Sequence, residues 1–423
     1  MNGKRRLKMK QLTRLFIPIC LETLFYMLSG MVDTLMLSAV GDYAVGAVGT
    51  ANSYIGIFII MFSIISSGMV SVMTQNIGAG RPGVAYQARQ LGLLFNAVAG
   101  VLMAVFLFSG AGAILRMVGI ADALYEPALI YLKIVGGGCI LNAVIPIFSS
   151  YLRAFGYTKQ PLYATIVGNI ANFVMNAVFL FVLHKGVAGV AAATVISKIL
   201  NLCIVLYFSH KLISAKNSTE RIANKTVLGQ IVKVGLPSAC ETALYNVAMM
   251  LVIRFLNQMD AEGLNVTARS YTATISNFSY CVGAALAQAN AIMTGWHIGA
   301  GELEECDRGT KRAAFVGVCV AVCMETAIVL GSGFIMPLFT DNPEMTALVR
   351  KLLAIDIVLE IGRVTNLVFG QALKTSGDAV FPAVIAAVFM FVFAVGGTWL
   401  FGISMGLMAV GAYIGLASDE SVR

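Results

Sequence analysis

Two stretches of this sequence place a glutamate one helical turn after a proline, within strongly apolar surroundings. They read PICLETLFY and PSACETALY, and their shared positions are Pro18, Glu22 and Tyr26 in the first and Pro237, Glu241 and Tyr245 in the second. A proline removes one backbone hydrogen bond and bends a helix, and a glutamate four residues later lies on the same face. A carboxyl group beside such a bend can take up and release a proton or a cation as its burial changes. The alternative interpretation is a kinked helix whose glutamate is protonated and hydrogen-bonded for packing.

Further ionisable residues lie inside apolar stretches, where each charge costs at least about 2.5–3.5 kcal/mol on insertion scales. Asp33 lies about three turns after Glu22 on roughly the same helix face, and it is either a functional carboxylate or one satisfied by a neighbouring hydroxyl or amide. Asp356, Glu360 and Arg363 form one helical stripe, although Glu360 and Arg363 can neutralise each other. The other charged residues inside apolar stretches of the second half are Arg254, Arg269 and Glu325. These residues mark a candidate path for a substrate or a coupling ion.

The elements that must position these residues follow from composition. The chain is 58% hydrophobic and 12% charged, with a mean hydropathy of +0.84, which is too apolar for a soluble surface. A bilayer core about 30 Å thick needs roughly 20 apolar residues per helix, and the runs here are longer than the alternating strands of a membrane barrel. The sequence therefore predicts an all-α polytopic membrane protein. The twelve predicted spans lie near 12–38, 45–73, 89–111, 126–150, 161–183, 186–208, 226–257, 265–294, 310–337, 346–372, 380–402 and 404–417.

Internal repetition divides these spans into two sets of six. IGAG at 77–80 recurs at 298–301, and LRAFGYTKQP, which contains Arg153, recurs 221 residues later as LKTSGDAVFP, which contains Lys374. The proline-glutamate motif recurs after a similar interval of 219 residues. Because each half holds an even number of helices, the halves enter the membrane in the same direction, as in transporters built from parallel repeats. The predicted organisation is an amino-terminal lobe at 1–208, a cytosolic linker at 209–225 and a carboxy-terminal lobe at 226–423.

The distribution of basic residues orients the bundle, since cytoplasmic loops are enriched in lysine and arginine. Basic residues concentrate on one side of the predicted topology, in 4–14, 81–89, 153–159, 211–225, 308–312 and at 374. Both termini are therefore expected in the cytosol, with the first helix uncleaved. Loop charge and anionic lipid account for the net charge of +8. The basic residues are spread over many loops and not interleaved with aromatic ones, so we expect no nucleic-acid partner.

Motifs for other chemistry are missing from the sequence. It has no CxxC, no HExxH and no P-loop GK[ST], which argues against a redox site, an intramembrane metalloprotease and a built-in ATPase. We expect a transporter and not an enzyme, without an organic cofactor and monomeric, with small organic molecules and the lipid bilayer as its partners. A membrane-embedded enzyme or a non-transporting receptor would have no evident need for paired six-helix repeats.

The order of motifs along nearly the whole chain resembles the multidrug and toxic compound extrusion (MATE) transporters. The motifs that carry the resemblance are Pro18 with VDTLMLSAVG, QNIGAGR, LRAFGYTKQP, GVAGVAAATVIS, GLPSACET and LKTSGD. The resemblance implies an antiporter of the inner, or plasma, membrane of a bacterial-type cell. Such a protein expels organic, often cationic or amphipathic, compounds while Na⁺ or H⁺ runs inward, and its two lobes enclose a V-shaped cleft.

Carried over residue by residue, the resemblance implies a cation-coupling site in the first lobe. Its residues would be Asp33, Asn172, Asn176 and Thr194. The family often has aspartate where this chain has Asn176, and losing a carboxylate weakens cation attraction, so protonation of Asp33 becomes the simpler mechanism. No metal other than Na⁺ at this site is expected.

The resemblance also bears on the second lobe. Glu241 matches an acidic position of the family, and a further acidic position of the tenth span aligns with Arg363, with Glu360 one turn earlier. Glu22, Tyr26, Tyr245 and Asp356 complete the candidate residues for substrate binding or second-lobe coupling. A lipid-linked sugar flippase of the same superfamily stays open as an alternative, because Arg254, Arg269 and Arg363 are the type of residue that would line its cleft.

Overall fold

A computed structural model describes residues 2–117, 120–213, 220–260 and 263–423, and helices make up most of these residues. In the first half the helices are α1 (Asn2–Ser38), α2 (Asp42–Gly78), α3 (Pro82–Met117), α4 (Asp122–Gly137), α5 (Cys139–Ala154), α6 (Lys159–Ala177) and α7 (Gly186–Leu212). In the second half they are α8 (Asn224–Met259), α9 (Leu264–Gly299), α10 (Leu303–Ile335), α11 (Pro343–Ser376), α12 (Val380–Phe389) and α13 (Met408–Val422). Helix α6 continues as a π-helix over Val178–Val182, and α12 as π-helical segments over Met390–Val395 and Thr398–Ser404.

The helices agree with the predicted spans, with one difference at the fourth. There α4 and α5 form a pair bent by 41°, with the break at Gly138 in the run VGGGC. Consecutive glycines weaken a helix because they lose more backbone entropy on folding than other residues. Within the described residues, eight helices are long and apolar enough to cross a membrane, or nine if the bent pair is one span. The three other predicted spans are α9 and α11, which carry more polar side chains, and α13, which has 15 residues.

The repeated IGAG turns have the same geometry in both halves. Gly80 and Gly301 each have φ of 75°, a left-handed conformation that glycine adopts without steric cost. After α2, the Arg81 amide donates to the Asn76 carbonyl at 2.7 Å; after α9, the Glu302 amide donates to the His297 carbonyl at 2.8 Å. These hydrogen bonds complete the same helix-terminating motif. The sequence repeat is therefore a repeat of local structure.

A second repeated turn ends α5 and α11. The Tyr157 amide donates to the Leu152 carbonyl at 2.9 Å, and 221 residues later the Asp378 amide donates to the Leu373 carbonyl at 3.1 Å. The turns place Arg153 and Lys374 in the last turn of their helices. Each half therefore carries a basic residue at the same point of its own architecture.

The chain separates into two compact units, Met1–Gly235 and Leu236–Arg423. The boundary falls inside α8, whereas the sequence predicts a second lobe from 226. The reason is a close approach of α8 to α2: a Cβ atom on Gly68 would lie 1.9 Å from the carbonyl oxygen of Ile231, and one on Gly235 would lie 1.8 Å from that of Ile64. Only glycine fits at both places, so the first turns of α8 pack within the first unit. Residues 214–219 of the predicted linker lie outside the described residues.

Candidate functional site

The first unit brings Asp33 of α1 against α6. The side-chain nitrogen of Asn176 donates to the Asp33 carboxylate at 2.8 Å and to the Asn172 side-chain oxygen at 3.1 Å. Asn172 and Asn176 are one turn apart on α6 and are both buried, so their amides share a face. An additional hydrogen bond from Asn169 to the Phe25 carbonyl, at 2.9 Å, links the same two helices. Three of the four residues implied for cation coupling thus form one hydrogen-bonded group.

Thr194, the fourth residue, reaches this group through a side chain that the sequence did not single out. Its hydroxyl donates to the Val190 carbonyl of its own helix at 2.9 Å. The buried hydroxyl of Tyr131, on α4, is hydrogen-bonded to both Thr194 and Asn52 and lies in the electrostatic field of Asp33. Tyr131 therefore connects α2, α4 and α7 beside the Asp33 group. A tyrosine in an apolar helix gives no distinctive sequence signal.

A lysine also belongs to this region. The ammonium of Lys198, one turn after Thr194 on α7, donates to the side-chain oxygen of Asn142 at 2.8 Å. Lys198 also interacts electrostatically with Asp33. The first-unit site thus contains a carboxylate and a lysine, and the ammonium form of this lysine reduces the attraction of Asp33 for an additional cation.

Both repeated glutamates form ion pairs within their own unit. Glu22 of α1 lies 2.5 Å from the guanidinium of Arg153, and Glu241 of α8 lies 2.7 Å from the ammonium of Lys374. These four side chains are between 12% and 23% exposed. In each unit, the glutamate of the proline motif thus pairs with the basic residue in the last turn of α5 or α11. Glu22 and Asp33, although on one helix, take different partners.

The second unit contains a cavity of about 570 Å³. Glu241, Tyr245, Asp356 and Arg363 of the predicted set line it. Acidic and basic side chains are balanced in its wall, which includes Glu241, Asp356, Asp419 and Glu420 as well as Arg269, Arg363, Lys374 and Arg423. The cavity therefore presents charges of both signs beside apolar and aromatic surface.

Glu360 is not among the residues that line this cavity and belongs to a buried acidic cluster. It is fully buried and ion-paired with Arg363. One carboxylate oxygen each from Glu325, Asp356 and Glu360 lie within 4.8 Å of one another. The sequence shows Glu325 only as one of several charged residues within a span. Its proximity to α11 could not be predicted, because it depends on how α10 packs. Two other predicted residues are exposed. Tyr26 is 70% exposed and interacts electrostatically with Tyr131 beside the Asp33 group, and Arg254 is exposed as well.

Comparison with known proteins gives matches along nearly the whole chain. A family model described as MatE matches residues 18–178 and 237–413, so each match begins at the proline of a repeated motif. The chain is 32% identical over 412 residues to the uncharacterized transporter YisQ of Bacillus subtilis (strain 168), covering 96% of this chain and 90% of that relative. It is 21% identical over 427 residues to the probable multidrug resistance protein NorM of Thermotoga maritima, covering 98% and 90%.

The fold agrees with a solved structure of a multidrug resistance MATE family transporter of the MOP superfamily in an outward-facing conformation. The TM-score is 0.87 at 20% identity, covering 98% of this chain and 93% of that one. At this level of identity the likeness concerns the fold. The predicted fold class, twelve membrane-spanning helices in two six-helix repeats, is confirmed.

Proposed function

Because the chain belongs to the MatE family of multidrug and toxic compound extrusion transporters, we propose that it is a secondary active antiporter. It exports organic compounds, cationic or amphipathic in character, while H⁺ or Na⁺ runs inward. Family and fold are those of transporters and not of enzymes. The protein is a multi-pass membrane protein, and our proposal places it as a monomer in the plasma membrane of a bacterial-type cell with both termini cytosolic.

The observation that carries the coupling proposal is the hydrogen bond between Asp33 and Asn176, at 2.8 Å inside the first unit. A carboxylate between membrane-spanning helices is costly, and ionisable residues at such places mark substrate and ion paths. The amide of Asn176 presents its nitrogen to Asp33, and Lys198 adds a positive charge nearby. Both features supply the carboxylate with positive partners other than a metal ion. A proton needs only one oxygen of Asp33, whereas Na⁺ needs several oxygen ligands and more negative charge than a single carboxylate beside Lys198 supplies. We therefore propose H⁺, taken up at Asp33, over Na⁺ as the coupling ion.

The cavity of the second unit supports the substrate class. Its volume of about 570 Å³ falls within the range of roughly 300–1,000 Å³ for small-molecule pockets. Tyr245, Tyr280 and Met249 give it aromatic and thioether surface, which suits varied apolar groups. Its balanced charges suit compounds that carry a polar or charged group on an apolar body.

A second candidate function is flipping of a lipid-linked sugar. The observation in its favour is that Arg269, Arg363, Lys374 and Arg423 line the same cavity. Arginine binds phosphate oxygens through two parallel hydrogen bonds. The adjoining carboxylates of Glu241, Asp356, Asp419 and Glu420 oppose a phosphorylated substrate, so we rank this function second.

The test is ethidium flux into proteoliposomes or inverted vesicles, with a Na⁺ gradient and a proton gradient imposed separately. The parent protein is compared with Asp33→Asn, which removes the carboxylate but keeps its size. Asp307→Asn is the matched control, since Asp307 is 61% exposed and pairs with Lys311 on the surface of α10.

Flux that is driven by the proton gradient, lost in Asp33→Asn and retained in Asp307→Asn would support coupling at Asp33. Flux that follows the Na⁺ gradient would replace H⁺ with Na⁺ in the proposal. Coupled flux that survives in Asp33→Asn would contradict the role of Asp33. If neither gradient moves ethidium while a labelled lipid-linked oligosaccharide is flipped, the antiporter proposal fails in favour of the second candidate.

A further inference from the structure

Three buried acidic side chains of the second unit come together from two helices. Glu325 lies on α10, and Asp356 and Glu360 lie one turn apart on α11. Glu325 and Glu360 are fully buried, and Asp356 is 2% exposed. We propose that these three residues form a binding site for a small hard cation. The inference does not depend on the exchange proposed above, because cation binding is measured without transport.

The spacing of the carboxylates fits one shared ion. One oxygen from each residue lies within 4.8 Å of the other two. Oxygen ligands lie about 2.4 Å from a bound calcium ion, so two of them are at most about 4.8 Å apart. Three atoms that lie within 4.8 Å of one another are at most about 2.8 Å from a common point, so side-chain shifts of a few tenths of an ångström bring all three to the distance of a calcium ligand without movement of the helices.

The orientation of the oxygen atoms is the second, independent observation. Oδ2 of Asp356 and Oε2 of Glu360 have no hydrogen-bond partner, and the single hydroxyl of Ser279 beside Glu325 can donate to only one of the two Glu325 oxygens. The buried hydroxyls of Ser276 and Ser279, on α9, are the hydrogen-bonding neighbours of Asp356 and Glu325 respectively. Buried oxygen atoms without partners are costly. A cation would satisfy the carboxylate oxygens that lack a partner, and the two serine oxygens beside them would complete an all-oxygen ligand set that suits a hard ion.

Charge balance leads to the same conclusion. Arg363 is ion-paired with Glu360 and also interacts electrostatically with Asp356. Its single positive charge leaves two negative charges when all three carboxylates are ionised. A divalent ion would neutralise them, and a monovalent ion would do so together with one proton. Asp356 also lines the cavity of the second unit, which gives an ion a route to the site.

The site is distinct from the acidic positions that the family resemblance implies. Glu241 is not part of it, because that carboxylate is ion-paired with Lys374. At the position where the family can carry an acid in the tenth span, this chain has Arg363, which serves the new site as a counter-charge. Asp33 and its partners lie in the first unit.

The experiment uses the purified full-length protein in detergent, near neutral pH. Calcium binding is measured by isothermal titration with CaCl₂. Thermal unfolding is compared in NaCl and in choline chloride at equal ionic strength. The decisive variant is Glu325→Gln, which keeps the shape of the side chain and removes its charge. Its matched control is Glu304→Gln on the same helix, because the Glu304 side chain is 93% exposed.

The parent is expected to bind one cation saturably, through Ca²⁺, Na⁺ or both. Glu325→Gln should weaken this binding at least about tenfold, since affinity follows the number of charged ligands. Glu304→Gln and Asp33→Asn should bind as the parent does, which separates this site from the first unit. A response to Na⁺ alone would identify a monovalent site that retains one proton; a response to Ca²⁺ would identify a divalent one.

Two results would overturn the inference. One is a parent protein that responds to neither cation, in which case the carboxyl groups share protons among themselves. The other is binding that is unchanged in Glu325→Gln. If Glu325→Gln does not yield folded protein, Asp356→Asn and Ser279→Ala provide the same comparison. Unchanged binding in both would equally refute the site.

Discussion

The carboxylate of Glu22 lies 2.5 Å from the guanidinium of Arg153. The equivalent residues of the second half, Glu241 and Lys374, form the corresponding pair at 2.7 Å. The sequence suggests either a carboxyl group that takes up a proton or a cation or a protonated glutamate hydrogen-bonded for packing, and neither alternative includes such an ion pair. Each has a basic partner from a motif that repeats at almost the same interval. A role for either glutamate in coupling or substrate binding stays a prediction.

Breaking one of these ion pairs should destabilise the protein. Glu241→Gln leaves the ammonium of Lys374 largely buried without its counter-charge, since that side chain is 13% exposed. We expect a loss of about 1–3 kcal/mol in the free energy of unfolding. The exchanged double variant Glu241→Lys with Lys374→Glu should recover part of it, as thermal unfolding in detergent would reveal. Asp307→Asn, which breaks a surface pair, should change stability by about 1 kcal/mol or less. Equal losses in the single and double variants would show that the pairing contributes nothing.

Replacing Asn176 by aspartate should strengthen cation binding in the first unit. The variant Asn176→Asp places a second carboxylate within hydrogen-bonding distance of Asp33, where the parent has an amide at 2.8 Å. Two neighbouring carboxylates attract a cation more strongly than one. We expect a larger Na⁺-dependent rise in unfolding temperature than in the parent, and flux that responds more to a Na⁺ gradient. Asn169→Asp, on the same helix, serves as the control because Asn169 bonds to a backbone carbonyl. An identical Na⁺ response in the parent and in Asn176→Asp would contradict this.

Asp260, between α8 and α9, should make stability depend on acid pH. Partial burial acts to raise its pKa, but hydrogen bonds from Asn265 and from the Leu264 amide outweigh it and hold the pKa below its usual range. A carboxyl group with a lowered pKa in the folded state stabilises that state at pH values above its unfolded pKa. This contribution is lost as the pH falls through the folded pKa. The parent should therefore be more stable than Asp260→Asn near pH 7, and the difference should shrink below about pH 3.9. Unfolding curves of both proteins across this pH range would check the prediction. A stability difference between parent and variant that does not change with pH would contradict it.

The side chain of Gln87, on α3, should restrain the end of the linker at Ile222 within the first unit. Its side chain donates to the Ile222 carbonyl at 2.7 Å and accepts from the Ile222 amide at 3.2 Å. Removing these bonds in Gln87→Ala costs about 1 kcal/mol or more, which corresponds to an approximately fivefold rise in the opened population that a protease cleaves. Limited trypsin digestion should cut after Arg221 correspondingly faster. Gln90→Ala, at an exposed position of α3, should digest like the parent. If both variants digest alike, Gln87 does not restrain this segment.

The sequence predicted correctly those structural elements that local chemistry determines. The apolar runs gave the helices, and glycine at the repeated IGAG turns gave two turns that agree in their hydrogen bonds and in the φ values of Gly80 and Gly301. The break at Gly138 was not predicted, although VGGGC carries the signal for it. The unit boundary inside α8 was not predicted either, because the approach of Gly235 to Ile64 depends on packing between distant parts of the chain.

The candidate sites depended more strongly on tertiary structure. The grouping of Asp33 with Asn172 and Asn176 was available only through a family resemblance. Tyr131 and Lys198 join that region by the rotation of their helices, which hydropathy does not encode. The Glu22–Arg153 pair could have been predicted from the sequence. Both motifs repeat after nearly the same number of residues, which indicates that they belong to one repeated structural arrangement. Glu325 had only its polarity in an apolar helix.

The placement of the first turns of α8 has a consequence for a severed chain. A cut between Leu212 and Asn224 would leave residues 224–235 at the start of the carboxy-terminal fragment. Those residues pack within the first unit, where Val227 and Ile231 belong to the same buried cluster as Met69 and Met73. The two fragments would therefore stay together through helix packing after the peptide link is gone. Two co-expressed half-length polypeptides should assemble into one particle and copurify.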